Sequence, residues 1–311
     1  MLDEFVWGKV SRISPEAPVP VVEVQSESSY PGGAANVARN LRPFCQTVQI
    51  SGLIGVDLQA QKLRSLLTEE GISPDGLIED PFFPTIVKTR IIARQQQVVR
   101  VDREKRCILS ESIVKAAGDR ISALLPSIDG VIFEDYGKGF LNQALVDRIG
   151  NLALEAGKVV TADPNPANPL HWTGASTIKP NRSEAFALVG KVDHGATEDP
   201  LQDKALLEVG TSLLEKSGVA SLLVTLGEHG IMLFDRKNPP YHTPTRAQEV
   251  FDVSGAGDTA IALFTVALCA GATPQEAAEI SNHASGVVVG KLGTATLTVD
   301  ELVASFENHA C

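Results

Sequence analysis

Three small residues, Gly255, Ala256 and Gly257, stand directly before an acidic Asp258, and an apolar, alanine-rich stretch follows them. A turn of small residues that enters a helix leaves backbone N–H groups unpaired, and the helix dipole adds partial positive charge there. Such a helix start suits an anion. The segment predicts either an anion hole for a transferred phosphoryl group, with Asp258 accepting the proton of an attacking hydroxyl, or an ordinary helix start with Asp258 in its first turn.

This turn matches neither of two known phosphate-binding motifs. It lacks the lysine and the hydroxyl residue of a Walker loop, and its Gly-x-Gly-Asp pattern differs from the Gly-x-Gly-x-x-Gly of a dinucleotide fold. Phosphoryl transfer requires mainly positioning and charge stabilisation, so a weak carboxylate base is sufficient. Both interpretations of Asp258 stay open on these residues alone.

A second candidate segment, SYPGGAANVARNL, places Gly32 and Gly33 before a helical pattern. Glycines permit a close backbone approach to a ligand, and the amide of Asn36 can hydrogen-bond adjacent hydroxyl groups, such as those of a sugar. A tight turn before a helix explains the same residues.

The segment STIKPNRSEAFALVG runs from a short strand into a helix, with Asn181 and Glu184 three residues apart and therefore on one helical face. This pair could hold water molecules around Mg²⁺, which keeps most of its hydration shell. It equally resembles a capping box, in which an Asn cap and a Glu at the third helical position exchange hydrogen bonds.

The segment VTLGEHG ends a strand with Thr225 and Gly227, where a nucleotide phosphate could lie. Hairpin turn chemistry explains Gly227 and Gly230 equally well. The segment alone favours neither interpretation.

Basic residues crowd one predicted hairpin, which is formed by TIVKTRIIAR and QVVRVDRE and joined at about Gln95–Gln97. They are Lys88, Arg90, Arg94, Arg100 and Arg103. Alternating basic and apolar residues are typical of a sheet with one solvated face. Together with APVPVVEV, the hairpin predicts a small β-sheet lid. Its cations either form a solvated face or clamp a phosphate already present on the substrate.

The elements that must position these residues alternate along the chain. Short apolar, β-branched runs precede helical patterns, as expected of strands buried on both faces of a mostly parallel α/β sheet. Ligands usually bind at the carboxyl ends of such strands. The predicted strand-bearing runs are TVQISGLIG, DGVIFEDYG, VVTADPN and SLLVTLGEHGIMLFD, and the predicted helices are LQAQKLRSLLTEEG and NQALVDRIGNLALEAG.

Composition restricts the function classes. The 311 residues carry a formal net charge of −11, which argues against broad binding to nucleic acid or anionic membranes. The four cysteines show no paired spacing, which fits a reducing compartment and argues against a metal cage. The sequence contains neither a membrane-span pattern nor a signal-peptide pattern, so we expect a cytoplasmic location.

Taken in this order, the segments PGGAANVARN, KPNRSE, VTLGEHG and DVSGAGDT resemble the ribokinase-like (PfkB) family of carbohydrate kinases. Their combination is far more specific than any single segment, and it extends over nearly the whole chain. Further segments look like one subgroup of this family, the heptose 7-phosphate kinase domains of bacterial ADP-heptose synthesis. These segments are SRISPEAPVPVVEV, QQQVVRVDRE, EDYGKGFL, PTRAQEVFDVSGAGDT and GVVVGKLGTAT.

The resemblance implies a ribokinase-like fold, with a mostly parallel central sheet flanked by helices and a small β-sheet lid. It implies ATP and Mg²⁺ as cofactors, with room for a monovalent cation such as K⁺. Asp258 would be the base, and the backbone N–H groups of Gly255, Ala256 and Gly257 would form the anion hole. The implied nucleotide-binding residues are Asn181, Arg182, Ser183, Glu184, Thr225, Gly227 and Asn282, with Glu184 holding Mg²⁺ through water. The implied substrate-binding residues are Asp3, Gly32, Gly33, Asn36 and Asp135, with Lys88, Arg90, Arg100 and Lys138 assigned to the sugar phosphate.

Three departures from the family pattern carry expectations of their own. Relatives begin with an apolar strand upstream of the segment that matches MLDEF, so we expect the first strand of the fold to be missing. DPNPAN has Asn165 where the subgroup suggests a lysine, which argues against a phosphate contact there. The His-x-Gly-His motif of a nucleotidyltransferase domain does not occur, so we expect 1–311 to form a single kinase domain with its lid at about 16–30 and 84–104.

The implied reaction is ATP-dependent phosphorylation of O1 of D-glycero-β-D-manno-heptose 7-phosphate, which belongs to ADP-heptose and lipopolysaccharide core synthesis. One alternative is a kinase of the same family for ribose, fructose or a hexose phosphate. Another is a catalytically inactive sugar-binding or nucleotide-binding protein. The expected partners are the small sugar phosphate and a second copy of the chain, paired as a homodimer through exposed lid edges, with no nucleic acid and no membrane.

Overall fold

The computed structural model describes residues 1–94, 96–247, 249–291 and 293–307. Within these ranges the strands are β1 (Leu2–Ile13), β2 (Pro20–Pro31), β3 (Gly52–Ile54), β4 (Leu77–Glu79), β5 (Val87–Ala93), β6 (Gln96–Arg103), β7 (Gly130–Glu134), β8 (Val159–Asp163), β9 (Thr177–Ile178), β10 (Ser221–Thr225), β11 (Ile231–Asp235) and β12 (Tyr241–Thr243). The α-helices are α1 (Ala34–Leu41), α2 (Leu58–Glu69), α3 (Glu111–Leu124), α4 (Gln143–Glu155), α5 (Arg182–Val189), α6 (Lys204–Ser217), α7 (Ala256–Cys269), α8 (Pro274–Val289) and α9 (Val299–Glu307).

The largest sheet has six strands in the order β12-β11-β10-β9-β8-β7. Strands β7 to β10 run parallel, whereas β11 and β12 join antiparallel. The inner strands are apolar along their length because helices cover both faces. Leu222 and Val224 pack with α4, α5 and α6 on one face, and Leu223 packs with α7 and α8 on the other. The predicted α/β sheet is therefore confirmed.

Helix α7 lies against β7 and β8 and runs opposite to them. Thr265 on the helix shares a hydrogen bond with Thr161 of β8 at 2.7 Å, and Cys269 at the helix end lies beside Gly130, where β7 begins. The helix therefore begins at the carboxyl ends of the parallel strands. That edge is where an α/β sheet usually binds its ligands.

The predicted lid is a four-stranded sheet in the order β2-β1-β5-β6. β1 pairs antiparallel with β2 and parallel with β5, and β5 and β6 form the predicted basic hairpin. The sheet includes β1, which lies outside the predicted lid segments at about 16–30 and 84–104. Of the predicted join at Gln95–Gln97, Gln95 lies outside the described residues.

Strands β3 and β4 form a separate two-stranded parallel sheet. They pack with α2 around an apolar cluster that includes Ile54, Leu63 and Leu77. The parallel strands are thus divided between two sheets, with β7 last in the order of the larger one. The expected lack of a first strand stays a prediction.

Candidate active site

Helix α7 begins without a side-chain cap from the described residues, although the Ala256 N–H donates to the Val253 carbonyl at 3.3 Å. Gly255 takes a left-handed conformation at φ 84°, which glycine adopts without steric cost, and the helix starts at Ala256. No side chain of the described residues caps this end. The first-turn N–H groups of a helix have no intrahelical acceptor, so this terminus suits an anion, as the small-residue turn predicts.

Asp258 lies in the first turn of α7 and is held by two side chains from distant parts of the chain. Asn36 Nδ2 on α1 donates to Asp258 Oδ2 at 2.8 Å, and the Tyr136 hydroxyl donates to Oδ1 at 2.8 Å. The segment thus starts a helix and has a fixed carboxylate in its first turn, and the roles of base and anion hole stay predictions.

Burial raises the pKa of Asp258 above its ordinary value, although the hydrogen bonds from Asn36 and Tyr136 and the charge of Lys179 lower it. Desolvation disfavours the ionised carboxylate, and donors to the ionised form oppose that effect. A carboxylate with a raised pKa is a stronger proton acceptor once ionised. The environment of Asp258 therefore suits a general base.

The glycine pair lets the chain pass close to Asp3 and to Tyr136. A Cβ on Gly32 would collide with the carboxylate of Asp3, and one on Gly33 would lie 3.2 Å from the Tyr136 ring. Gly33 also has a positive φ of 59° where α1 begins. The pair is thus both a turn before a helix and a point of close approach, beside Asp3 and Asn36.

Asp3 is buried and forms an ion pair with Arg90, whose Nη1 atom lies 2.6 Å from Asp3 Oδ1. These two residues lie on the neighbouring parallel strands β1 and β5. The guanidinium of Arg90 also lies over the ring of Phe5, 5.3 Å from its centroid. The structure thus places one predicted phosphate contact next to a predicted sugar contact.

The other three predicted phosphate contacts are paired with acidic side chains. Lys88 Nζ lies 3.1 Å from Asp102 and 3.4 Å from Glu104, and Lys138 lies 2.7 Å from Glu104. Arg100 binds Asp102 at 2.9 Å. Sequence reasoning missed these acids, although cross-strand pairing of Lys88 with Asp102 follows from the hairpin register.

Asp135 is buried, and both of its carboxylate oxygens accept hydrogen bonds. One accepts from the Gly137 N–H at 2.8 Å and the other from Asn168 Nδ2 at 2.8 Å. Burial raises the pKa of Asp135. The side chain of Asp135 therefore orders the turn after β7, and its predicted sugar contact stays a prediction.

The predicted nucleotide side begins at Asn181, which caps α5. Its Oδ1 accepts from the Glu184 N–H at 2.9 Å, and Glu184 Oε2 accepts from the Asn181 N–H at 2.8 Å, which completes the capping box. The Ser183 hydroxyl also donates to Asn181 Oδ1. Thr225 is brought alongside by a parallel bridge to Asn181, and Gly227 turns the following hairpin at φ 60°.

Two predicted nucleotide residues have well-defined protein partners. The Arg182 guanidinium binds Asp193 at 3.0 Å and Asp203 at 2.8 Å. Asn282 Nδ2 donates to Thr243 Oγ1 at 2.9 Å and to the carbonyl of Pro244 at 2.6 Å. These contacts tie helices to loops, and the nucleotide contacts of both residues stay predictions.

Sequence reasoning missed a group of charged residues that end neighbouring strands. Glu134 ends β7 and pairs in register with Asp163, which ends β8, and Lys179 follows β9 directly. Lys179 Nζ lies 2.8 Å from Asp163 Oδ2. Burial raises the pKa of Asp163 to about 7 and that of Glu134 well above its usual value. The sequence signal that could have identified this group is a charged residue at the end of each apolar strand.

Glu184 is the predicted contact for Mg²⁺, through water. Among the described residues, no cluster of three or more His, Cys, Asp or Glu side chains is arranged to hold a metal. Mg²⁺ commonly keeps several water ligands and binds through one or two carboxylates and substrate phosphates. Glu184, with one oxygen used by the capping box, fits this mode.

In the part of the chain that the structure describes, no helix has the length and apolar character needed to cross a membrane.

The family model described as pfkB family carbohydrate kinase matches residues 4–301. The chain is 40% identical over 310 residues to the bifunctional protein HldE of Desulfatibacillum aliphaticivorans, and this match covers 99% of the chain and 62% of that relative. The chain thus spans about three fifths of the length of this curated relative.

Solved structures resemble the fold. Ribokinase of Arabidopsis thaliana, complexed with ribose and ATP, aligns with a TM-score of 0.73 at 17% identity and covers 98% of this chain and 96% of that chain. Phosphofructokinase-2 of Escherichia coli, in complex with potassium, aligns with a TM-score of 0.74 at 17% identity, with coverages of 99% and 95%. The predicted ribokinase-like fold is confirmed.

Proposed function

The chain belongs to the pfkB family of carbohydrate kinases and is therefore a phosphotransferase, and we propose that it transfers the γ-phosphoryl group of ATP to O1 of D-glycero-β-D-manno-heptose 7-phosphate. The observation that carries the kinase chemistry is the carboxylate of Asp258, held by Asn36 and Tyr136 at the start of α7, which no side chain of the described residues caps. A base and an anion-binding helix terminus at one point are what phosphoryl transfer requires.

In the proposed reaction, Asp258 accepts the proton of the sugar O1 hydroxyl while O1 forms a bond to the γ-phosphorus. The bond from that phosphorus to the β,γ-bridging oxygen breaks, and ADP leaves with the electron pair. Backbone N–H groups at Gly255, Ala256 and Gly257 stabilise the negative charge of the transferred group. Asn36 and Tyr136 keep the carboxylate oriented toward the hydroxyl.

Mg²⁺, held by Glu184 through water near Asn181, would neutralise charge on the nucleotide phosphates. Thr225 lies beside Asn181 at the carboxyl end of β10, which supports contacts of Thr225 and of the nearby Gly227 with the same phosphates. We also propose that a monovalent cation such as K⁺ is a cofactor.

The substrate is inferred from the sequence segments that resemble heptose 7-phosphate kinase domains. The similarity to the bifunctional protein HldE of Desulfatibacillum aliphaticivorans supports this choice, because it extends over 99% of the chain. The proposal also includes Asp3, Gly32, Gly33, Asn36 and Asp135 as sugar contacts. It includes a cytoplasmic location and a homodimer paired through the lid, whose strand β6 is exposed along its whole length.

The direct test is ADP release by the purified protein with ATP, Mg²⁺ and D-glycero-D-manno-heptose 7-phosphate. The same sugar without its phosphate, ribose and fructose 6-phosphate serve as competing acceptors. We expect turnover to be highest with the heptose 7-phosphate and the product to carry a second, anomeric phosphate by NMR. Turnover restricted to another sugar would contradict the substrate assignment. Ligand binding without any ADP release would contradict the kinase itself.

One observation favours a second candidate, a kinase of the same family for an unphosphorylated sugar. Lys88, Arg100 and Lys138 are each neutralised by Asp102 or Glu104. A lid whose cations are already compensated has less charge to offer to a sugar phosphate. The acceptor competition separates the two candidates.

Lys138→Met is expected to raise the KM for heptose 7-phosphate about 10- to 100-fold, since a hydrogen bond from a charged group contributes about 1.5–3 kcal/mol. The KM for ATP should change little. Steady-state kinetics with each substrate varied in turn measures both constants. Lys115→Met is the matched control, because this exposed lysine pairs with Asp119 outside the site. Equal KM values for wild type and K138M would place the phosphate elsewhere.

Tyr136→Phe is expected to move the acid limb of the kcat/KM profile about one pH unit upward. The Tyr136 hydroxyl donates to Asp258, so its loss raises the pKa of that carboxyl further. Because the base must be ionised, activity then falls at a higher pH as the solution is acidified. Tyr241→Phe, which removes a hydroxyl bonded to Glu279 instead, is the control. Superimposable profiles would contradict the role of Tyr136.

A further inference from the structure

Lys179 carries a buried positive charge and has no role in the reaction proposed above. Only 5% of its side chain is exposed, and its ammonium lies 2.8 Å from Asp163 Oδ2. Burial opposes the charged form, but Asp163 and Glu134 outweigh it and raise the pKa of Lys179 above its ordinary value. Lys179 is therefore a cation at neutral pH.

The ammonium of Lys179 lies beside the start of α7. A Cβ built on Gly257 would be 3.5 Å from Lys179 Nζ. Because the amino end of a helix carries partial positive charge, a buried cation at this end is repelled unless an anion balances both. The two positive features therefore converge on one place, next to Asp258.

Several carboxyl groups surround Lys179. Burial raises the pKa of Asp163 to about 7 and that of Glu134 well above its usual value, and the charges of Glu184 and Asp258 also act on this group. Glu134 Oε1 is buried without a hydrogen-bond partner among the described residues.

We propose, resting on the kinase function above, that the Lys179 ammonium contacts the γ-phosphoryl group of ATP and that Asp163 is a positioning residue that holds the ammonium there. Lys179 would donate hydrogen bonds to γ-phosphate oxygens and transfer no proton. Its charge would add to that of the backbone N–H groups at Gly257. Asp163 would fix the side chain at the end of β8, so that no ordering is needed when ATP binds.

A purely structural ion pair makes a different prediction from this proposal. Loss of a structural pair would destabilise the fold and weaken the binding of all nucleotides to the same extent. Loss of a γ-phosphoryl contact would weaken only the binding of ligands that have a γ-phosphate. The ratio of affinities for a triphosphate and a diphosphate therefore distinguishes the two roles without any turnover.

The experiment is calorimetric titration of the full chain with Mg²⁺ and either ADP or the non-hydrolysable analogue β,γ-methylene-ATP. Lys179→Met is expected to weaken the analogue about 10-fold or more, while ADP affinity changes by less than about twofold. Lys191→Met is the matched control, because Lys191 follows α5 and pairs with Glu208. It should leave both affinities unchanged. A folded K179M protein with the wild-type ratio would overturn the proposal.

Asp163→Asn provides a second test that keeps the lysine. The substitution preserves side-chain shape and removes the anion that holds the ammonium in place, so the preference for the analogue over ADP should fall severalfold. An unchanged or higher ratio contradicts the proposal. If K179M does not fold, this variant alone decides.

The outcomes also separate the inference from the proposed function. Suppose that the wild-type protein binds both nucleotides, that the ratio of its affinities for the analogue and ADP depends on Lys179, and that it does not phosphorylate heptose 7-phosphate. This outcome overturns the substrate assignment and supports the Lys179 contact. Normal turnover of the heptose 7-phosphate with a ratio independent of Lys179 overturns the contact and leaves the function in place. Wild-type protein that binds neither nucleotide overturns both.

Discussion

Asp258→Asn is expected to lower kcat by about 10²- to 10⁴-fold, the usual contribution of a positioned general base. The amide has nearly the shape of the carboxylate and can still accept from Asn36 Nδ2 while its own NH₂ group donates to the Tyr136 hydroxyl. It cannot accept the O1 proton. ADP-release kinetics at saturating ATP and sugar measure the loss, and product NMR shows whether residual turnover still occurs at O1.

The same substitution should leave folding and nucleotide binding intact. Burial raises the pKa of Asp258, which means that the ionised carboxylate is unfavourable in the folded protein. A neutral amide removes that penalty, so we expect the Tm of D258N to equal or exceed that of the wild type. Asp119→Asn removes an exposed carboxylate paired with Lys115 and Arg148 and serves as the control. Wild-type turnover by D258N would refute the base assignment.

The parts of the site that could be predicted from sequence are those fixed within a few residues. The start of α7 follows from small residues ahead of an alanine-rich run, and the capping box of Asn181 and Glu184 follows from their spacing. The parallel sheet follows from strands that are apolar throughout. In each case local backbone preferences and local hydrogen bonds determine the outcome.

The convergence of Glu134, Asp163 and Lys179 could not be predicted in the same way. It depends on the order β7-β8-β9 and on a register that places Glu134 opposite Asp163. The partners of Asp258 come from α1 and from the turn after β7, far away in sequence. Such contacts are set by how distant elements pack, which the spacing of residues along one segment does not encode.

The lid shows a third case, in which the charges were visible but their compensation was not. Basic residues alternate along the hairpin, and this pattern predicts the two strands. Whether Lys88 binds a ligand or Asp102 depends on the cross-strand register, which sets these two residues opposite each other. Strand β1 was not predicted either, because its residues mix apolar and charged side chains and pair on both sides with other lid strands.

Gly255→Ala is expected to lower kcat by about 100-fold or more, because it disturbs the residue that holds the base as well as the anion hole. The Cβ of alanine would lie 2.8 Å from Asn36 Nδ2, closer than the two groups can approach. Either the Asn36 amide moves away from Asp258 or the start of α7 shifts. Both movements break the geometry in which the carboxylate and the first-turn N–H groups face one point.

Backbone strain alone does not account for the expected loss, and Gly271→Ala shows why. Gly271 also has a positive φ, 91°, but a Cβ there meets no atom within 4 Å. Each substitution should cost about 1–2 kcal/mol for an alanine in the left-handed region. Thermal unfolding should therefore show a lower Tm for both variants, with the larger decrease for G255A because of its contact with Asn36. Only G255A should lose turnover, because only there does the new methyl group displace Asn36. Equal kcat values for the two variants would mean that the position of Asn36 does not control Asp258.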